Sequence, residues 1–208
     1  MPNRSTSAPP PRRRADAERS VARIMDAAVD ALASDPEASM AEIARQAGVV
    51  RATVYVHFPT REALIEAVTA RAIAEASAAM DTAEPERGDP VEALGRVLAS
   101  AWRMLGRYHA LVAINTQLPH AELRARHHAV MARLEPLIER GQREGSFRSD
   151  VPATWHLSML LALIHAASAE LRAGRISADD AEQALLGTIL GAVSERSAQS
   201  ITARRLAR

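Results

Sequence analysis

Residues 39–64 read SMAEIARQAGVVRATVYVHFPTREAL, and the fold of the chain turns on that stretch. Ser39 opens a Ser-Met-Ala-Glu capping box, in which the side chains of Ser39 and Glu42 can each satisfy the other's exposed amide. Met40, Ile43, Ala44 and Ala47 then share one face of a short helix. Gly48 stops it, because the turn Gln46-Ala47-Gly48-Val49 needs a positive φ that a Cβ would resist. A further short helix, about Val50–Phe58, ends against Pro59, and Thr60 caps the next, which runs to about Met80. Upstream, Val21, Ile24, Met25, Ala28 and Leu32 mark the apolar face of a helix from about Asp16 to Ser34, closed by Pro36. Three helices with a tight glycine turn between the second and third describe a helix-turn-helix.

The third of these helices separates its residues by face. Val54 and Phe58 point to a small core with Val21, Ile24 and Ile43. Arg51 and Tyr55, four apart, lie on the other side with Ala52, Thr53 and Val56 around them. A helix-turn-helix lays this helix in the major groove of DNA. Arg51 suits guanine O6 and N7, and Ala52 or Val56 suits a thymine methyl. Thr53, Tyr55 and His57 suit phosphates, which fix register without reading sequence. The chain has two Tyr and two Phe in all, and one of each falls between Tyr55 and Phe58.

The remaining composition excludes more than it assigns. With 208 residues, 48% apolar and 25% charged, the chain can build ample core, as one large domain or two small ones. Zero cysteines exclude a disulfide framework, a thiol nucleophile and Cys-ligated metal. No apolar run is long enough to span a bilayer, and MPNRSTSAPPPRRR lacks the apolar stretch of a secretory signal, so the expected address is the cytoplasm. The net charge of +1 is an average. The first 23 residues carry six Arg against Asp16 and Glu18, a local +4, and the rest sums to −3. Residues 1–15, rich in Pro, Ser and Arg, are expected to form a disordered arm whose Arg12–Arg14 could follow the minor groove or the phosphates.

On Ile43-Ala44, Ala47-Gly48-Val49, Thr53-Val54-Tyr55, His57-Phe58-Pro59 and Arg61-Glu62-Ala63-Leu64, the segment resembles the DNA-binding segment of the TetR family of transcriptional repressors. That resemblance implies phosphate contacts from Thr53, Tyr55, His57 and Arg61, and base contacts from Arg51 and Ala52. The expected DNA-contacting set is Ser39, Val50, Arg51, Ala52, Thr53, Tyr55, Val56, His57 and Arg61. Val50 departs from the family, which commonly has a small hydroxyl residue there. Valine can neither cap the helix nor donate to phosphate, which leaves it as a thymine-methyl reader.

For the rest of the chain the resemblance implies architecture more than residues. The expected whole is all-α, about nine helices, with an arm at 1–15, the helix-turn-helix at 16–62 and a helical effector-binding and dimerisation domain at 63–208. Glu84–Pro90 reads as a linker. Beyond it, helical stretches are expected at 90–112, 118–144, 152–173 and 178–196, with Pro136 kinking or dividing the second. Glu144–Pro152 is similar to the loop that precedes the family's two dimerisation helices, for which Leu157, Leu161, Ile164, Leu185, Ile189 and Val193 are the interface candidates. Trp102, Met104, Tyr108, Met131, Trp155 and Met159 are candidates for an effector pocket, since soft and aromatic surfaces suit organic ligands. His109, His120, His127, His128, His156 and His165 form no short metal signature, so no cofactor or metal is expected and an enzyme is not. The functional expectation is a homodimeric repressor of a palindromic double-stranded operator, released by a small-molecule effector, with no membrane partner. The alternatives are a helical interaction module that no longer reads DNA, and a histidine-based metalloenzyme.

Overall fold

The computed structural model describes residues 11–115 and 119–195. Among them the chain is helical, with ten α-helices and one 3-10 turn, close to the nine or so helices expected. An isolated antiparallel bridge between Phe147 and Ser194 is the extended pairing found there. The chain divides into two compact units, 1–68 and 69–208. The division falls inside a helix, six residues beyond the boundary expected at 62, because Leu64 and Val68 of that helix are fully buried members of the first unit.

The first unit holds α1 (Pro11–Ser34), α2 (Met40–Gln46), α3 (Arg51–His57) and the start of α4 (Arg61–Thr82). α1 ends where Pro36 predicts, but it begins at Pro11 rather than Asp16. Proline costs nothing in a helix's first turn, where its missing N–H would have no partner, and the Arg and Ala that follow are good helix formers. The backbone of residues 11–15 is therefore helix, not arm, and the expected arm's first ten residues lie outside the described ones. Ile24, Ala28, Leu32, Ile43, Val54, Phe58, Leu64 and Val68 form the buried interior, while Val21 is only half-buried. Gly48, at φ +64°, closes α2, with its N–H donating to the Arg45 carbonyl and that of Val49 to Ala44.

The second unit continues α4 and adds α5 (Pro90–Leu105), α6 (His109–Asn115), α7 (His120–Arg126), α8 (His128–Arg143), α9 (Ala153–Arg172) and α10 (Ala178–Val193). The single helix expected at 90–112 is two, joined by a 3-10 turn at Gly106–Tyr108. The turn swings two side chains inward: Tyr108 Oη donates to Glu75 Oε2 at 2.9 Å, and His109 Nδ1 meets Ser168 Oγ at 3.1 Å. The stretch expected at 118–144 divides at His127, not at Pro136. Pro136 and Ala132 are both exposed, so the Ala132 carbonyl that loses its helical donor faces water and α8 runs through. Leu94, Val97, Leu98, Leu134, Ile138, Phe147, Leu160 and Ile189 are at the centre of this unit's core. Gly141 is part of it, since a Cβ there would lie 2.1 Å from the Phe147 ring. Two arginines brace the 83–88 linker: Arg96 donates to the carbonyls of Ala83, Glu84 and Arg87, and Arg140 to those of Pro85 and Gly88.

Candidate functional site

α3 carries an outward face that the fold does not use. Among the described residues the exposed large apolar side chains are Val50, at 69% of its full exposure, Tyr55 at 38%, Val56 at 79% and Trp155 at 60%. Three of these four fall within seven residues. Exposed valines on a two-turn helix cost water-ordered apolar surface and suit a partner that covers them. Arg51 and Ala52 are exposed beside them, and Thr53 and His57 are half-buried at the edge. Val50 is the N-cap of α3 and makes no side-chain capping bond, as its lack of a hydroxyl requires.

Arg51 and Tyr55 act as a pair, a feature that four-residue spacing permits but does not reveal. Arg51 Nη2 donates to Tyr55 Oη at 3.1 Å, and its guanidinium carbon lies 5.2 Å from the ring centroid. The phenol holds the guanidinium over the helix while most of its five N–H donors stay unspent.

Two members of the expected DNA-contacting set are engaged inside the unit. Ser39 Oγ accepts from the Glu42 amide at 3.2 Å as the N-cap of α2. The reciprocal half of the capping box does not form, because the Glu42 carboxylate turns to Arg45 Nε at 2.9 Å, to Arg45 Nη2 at 2.5 Å and to Gln46 Nε2 at 2.9 Å. The Arg45 bonds, followed by that of Gln46, hold the Glu42 pKa down at about 2. Arg61 is half-buried and donates from Nε to the Ala38 carbonyl at 3.3 Å and from Nη2 to that of Pro36. Its guanidinium thus fastens the α1–α2 loop instead of standing clear as a phosphate contact.

The second unit contains a cavity of about 550 Å³ between α7, α8 and α9. Its wall combines Arg124 and His128 with Glu135, the hydroxyls of Thr154 and Ser158, and the apolar Met131, Leu157 and Leu161. Of the six pocket candidates only Met131 lines it. Trp102 is buried with its ring 4.2 Å from that of His109. Tyr108 is fully buried, and burial followed by the bond to Glu75 raises its hydroxyl pKa. Met104 and Met159 are half-buried, and Trp155 faces outward.

The dimer candidates lie mostly within the second unit's own core. Leu157, Leu161, Leu185, Ile189 and Val193 are buried within this chain, and Ile164 packs half-buried against the same core. A helix buries its most apolar stripe in its own domain first, and in this chain that leaves the five buried ones little surface of their own to offer. The stripes left exposed on the same helices are Trp155, Ala162 and Ala166 on α9, and Ala184, Gly187, Thr188 and Gly191 on α10.

The histidines are mostly interior: His109, His156 and His165 are buried, His127 is half-buried and His128 is exposed. The His120 side chain lies outside the described ones. No group of three or more His, Cys, Asp or Glu that could hold a metal occurs among the described residues. No described helix is long and apolar enough to cross a membrane.

Residues 24–68, from within α1 to the end of the first unit, match the model of the bacterial regulatory proteins, tetR family. The chain is 26% identical to the HTH-type transcriptional regulator NfxB of Pseudomonas aeruginosa over 169 residues, 78% of this chain and 88% of that protein. It is 39% identical to the HTH-type transcriptional repressor LfrR of Mycolicibacterium smegmatis over 83 residues, 40% of this chain and 44% of that one. The fold superimposes on the crystal structure of the TetR-like transcriptional regulator LfrR from Mycobacterium smegmatis in complex with proflavine. The TM-score is 0.67, at 25% identity, over 85% of this chain and 97% of that one. A glycine-turned three-helix unit with an exposed arginine-bearing third helix, followed by a helical unit with a cavity, is similar to the arrangement of these helix-turn-helix regulators. Over residues 24–68 the chain matches the TetR family, and the curated relatives it resembles are named as transcriptional regulators rather than enzymes.

Proposed function

We propose that the protein is a homodimeric, cytoplasmic repressor that grips a palindromic operator with paired α3 helices and lets go when a small organic molecule enters the second unit. The observation that carries the DNA half is the exposed Val50–Val56 face of α3, which has no work inside the fold. Arg51 reads guanine, held in place by Tyr55, and Val50, Ala52 and Val56 meet thymine methyls. Thr53, Tyr55 and His57 take phosphates. Ser39 and Arg61 serve from behind, by fixing the start of α2 and the α1–α2 loop. Two copies associate through the small-residue stripes of α9 and α10, where glycine and alanine let helices approach closely. A twofold dimer then places its reading helices in successive major grooves.

The effector half is supported by the mixed apolar and polar wall of the α7–α9 cavity, and by the relative LfrR, named a repressor and crystallised with proflavine. An effector releases DNA only by binding the released arrangement better.

A gel shift on the DNA upstream of the coding region, across a salt series, tests the reading. A shifted fragment should be preferred over random DNA, and Arg51→Ala should relax preference at one base position. Thr53→Val should weaken all fragments about equally. Tyr55→Phe is the poorer probe, because the phenol also supports Arg51. The reading fails if no fragment is preferred over random DNA at low salt.

A further inference from the structure

Along α9, Thr154, Ser158, Leu161, His165 and Ser168 recur at i, i+4, i+7, i+11 and i+14, a single stripe of the helix. The first three line the cavity. The last two are closed over by α6: His165 Nδ1 sits 3.1 Å from the Val112 carbonyl, and Ser168 Oγ meets His109. A stripe that only packs is apolar. This one is polar at four of five positions, and it leads from an open cavity into the interior.

His165 is 5% exposed, and its Nε2 has no hydrogen-bond partner among the described residues. A carbonyl only accepts, so the Val112 bond places the proton on Nδ1 and leaves a lone pair on Nε2. Burial, and then repulsion from His127, hold the His165 pKa at about 4, so the ring is neutral near pH 7. The His127 ring meets that of His165 edge-on, with centroids 5.3 Å apart, and its chain neighbour His128 is on the cavity wall. His156 also leaves a buried ring nitrogen unpaired, but it is off the stripe and serves the Arg148 carbonyl.

We propose that the effector site has two parts in line along α9, the open cavity and an inner anchor at His165 Nε2. Its ligand is an uncharged, mainly apolar molecule with a hydroxyl or N–H donor that docks on that nitrogen. The rim carries one Arg, Arg124, and one carboxylate, Glu135, whose opposite charges favour a ligand of no net charge. The inner end opens when the His127 ring swings away from His165. This inference rests on the reading of the second unit as an effector domain.

Matched probes on the full-length protein test it: 2-naphthol against 2-methylnaphthalene, and 4-phenylphenol against 4-methylbiphenyl. Binding is read by the fluorescence of Trp155, which adjoins Thr154 of the cavity wall. The hydroxyl member of a pair should bind about tenfold tighter, the scale of one buried hydrogen bond. His165→Phe should abolish that preference, and His127→Ala should strengthen hydroxyl binding a few-fold. Histidine-selective NMR of the unmodified protein should show the His165 Nε2 resonance move with 2-naphthol, which decides the matter if His165→Phe does not fold. Failure of every pair to bind or to discriminate, or a preference that survives His165→Phe, would overturn the proposal. So would an unmoved Nε2 resonance with probe bound. Operator release is measured separately by DNA anisotropy. Release without His165 dependence sinks this inference alone, whereas His165-dependent binding that leaves DNA affinity unchanged supports it and sinks the release mechanism.

Discussion

Val56→Ala isolates the apolar part of DNA recognition from everything the side chain does for the fold. Val56 is 79% exposed, so the free protein loses almost no packing when two methyl-sized groups are removed. Alanine also favours helix over valine by several tenths of a kcal/mol, so the melting temperature should hold or rise slightly. In the proposed operator complex the same groups leave water against a thymine methyl. At about 0.8 kcal/mol per buried carbon, scaled by the exposed fraction, the loss is about 1.3 kcal/mol per half-site. A palindrome contains the contact twice, which makes the total about 2.5 kcal/mol, or about 70-fold in affinity. Fluorescence anisotropy with labelled operator and with random duplex of equal length measures both terms at one salt concentration. Operator affinity should fall by that factor while random-duplex affinity stays level. An equal loss on both duplexes would place Val56 against the backbone, and a drop of several degrees in melting temperature would make it a folding residue; either refutes the assignment of this face to base edges.

Three further outcomes follow from the second unit. Gly141→Ala drives a Cβ into the fully buried Phe147 ring, and urea unfolding should show a loss of about 1–3 kcal/mol. His109 and His165 both titrate near 4 when folded, chiefly because burial disfavours their charged forms, against 6.5 in the unfolded chain. The unfolded state therefore binds more protons between about pH 4 and 6.5, and stability should rise with pH across that window by up to about 1.4 kcal/mol per unit for each group. His109→Phe should flatten the pH dependence of the urea midpoint, and an unchanged slope would argue against a buried neutral ring. A Cβ at Gly187 meets nothing within 4 Å in the single chain, so Gly187→Leu should leave the monomer folded but shift sedimentation toward half the mass. A dimer that survives this change does not use the α10 stripe.

The first unit was close to fully legible, because its signals are local. Ser39, Gly48, Pro59 and Thr60 act on the backbone within three or four residues of themselves, and α2, α3 and the start of α4 lie where those residues put them. The inward turn of Ile24, Ile43, Val54 and Phe58 follows from helical period alone. Even here, pairings between side chains were harder to see than faces. Glu42 had Ser39, Arg45 and Gln46 within reach, and a charged donor outcompetes an amide. Arg61 looked free for phosphate, and only the folded α1–α2 loop, more than twenty residues away in sequence, offered it carbonyls.

By itself, the sequence determined the all-helical class, the helix-turn-helix and the outward residues of α3, since period, caps and turns are properties of neighbouring residues. Only tertiary structure decided how the second unit divides its surfaces. Periodicity marks Leu157, Leu161, Leu185, Ile189 and Val193 as the apolar stripes of α9 and α10, but a stripe does not say whether its cover is the same chain or another. Those residues meet the chain's own core, and the small-residue stripes are what the single chain leaves exposed. The break at His127 and the cavity beside it arise in the same way. They depend on which helix packs over which, and that is set by the sum of many distant contacts rather than by any residue's neighbours in sequence.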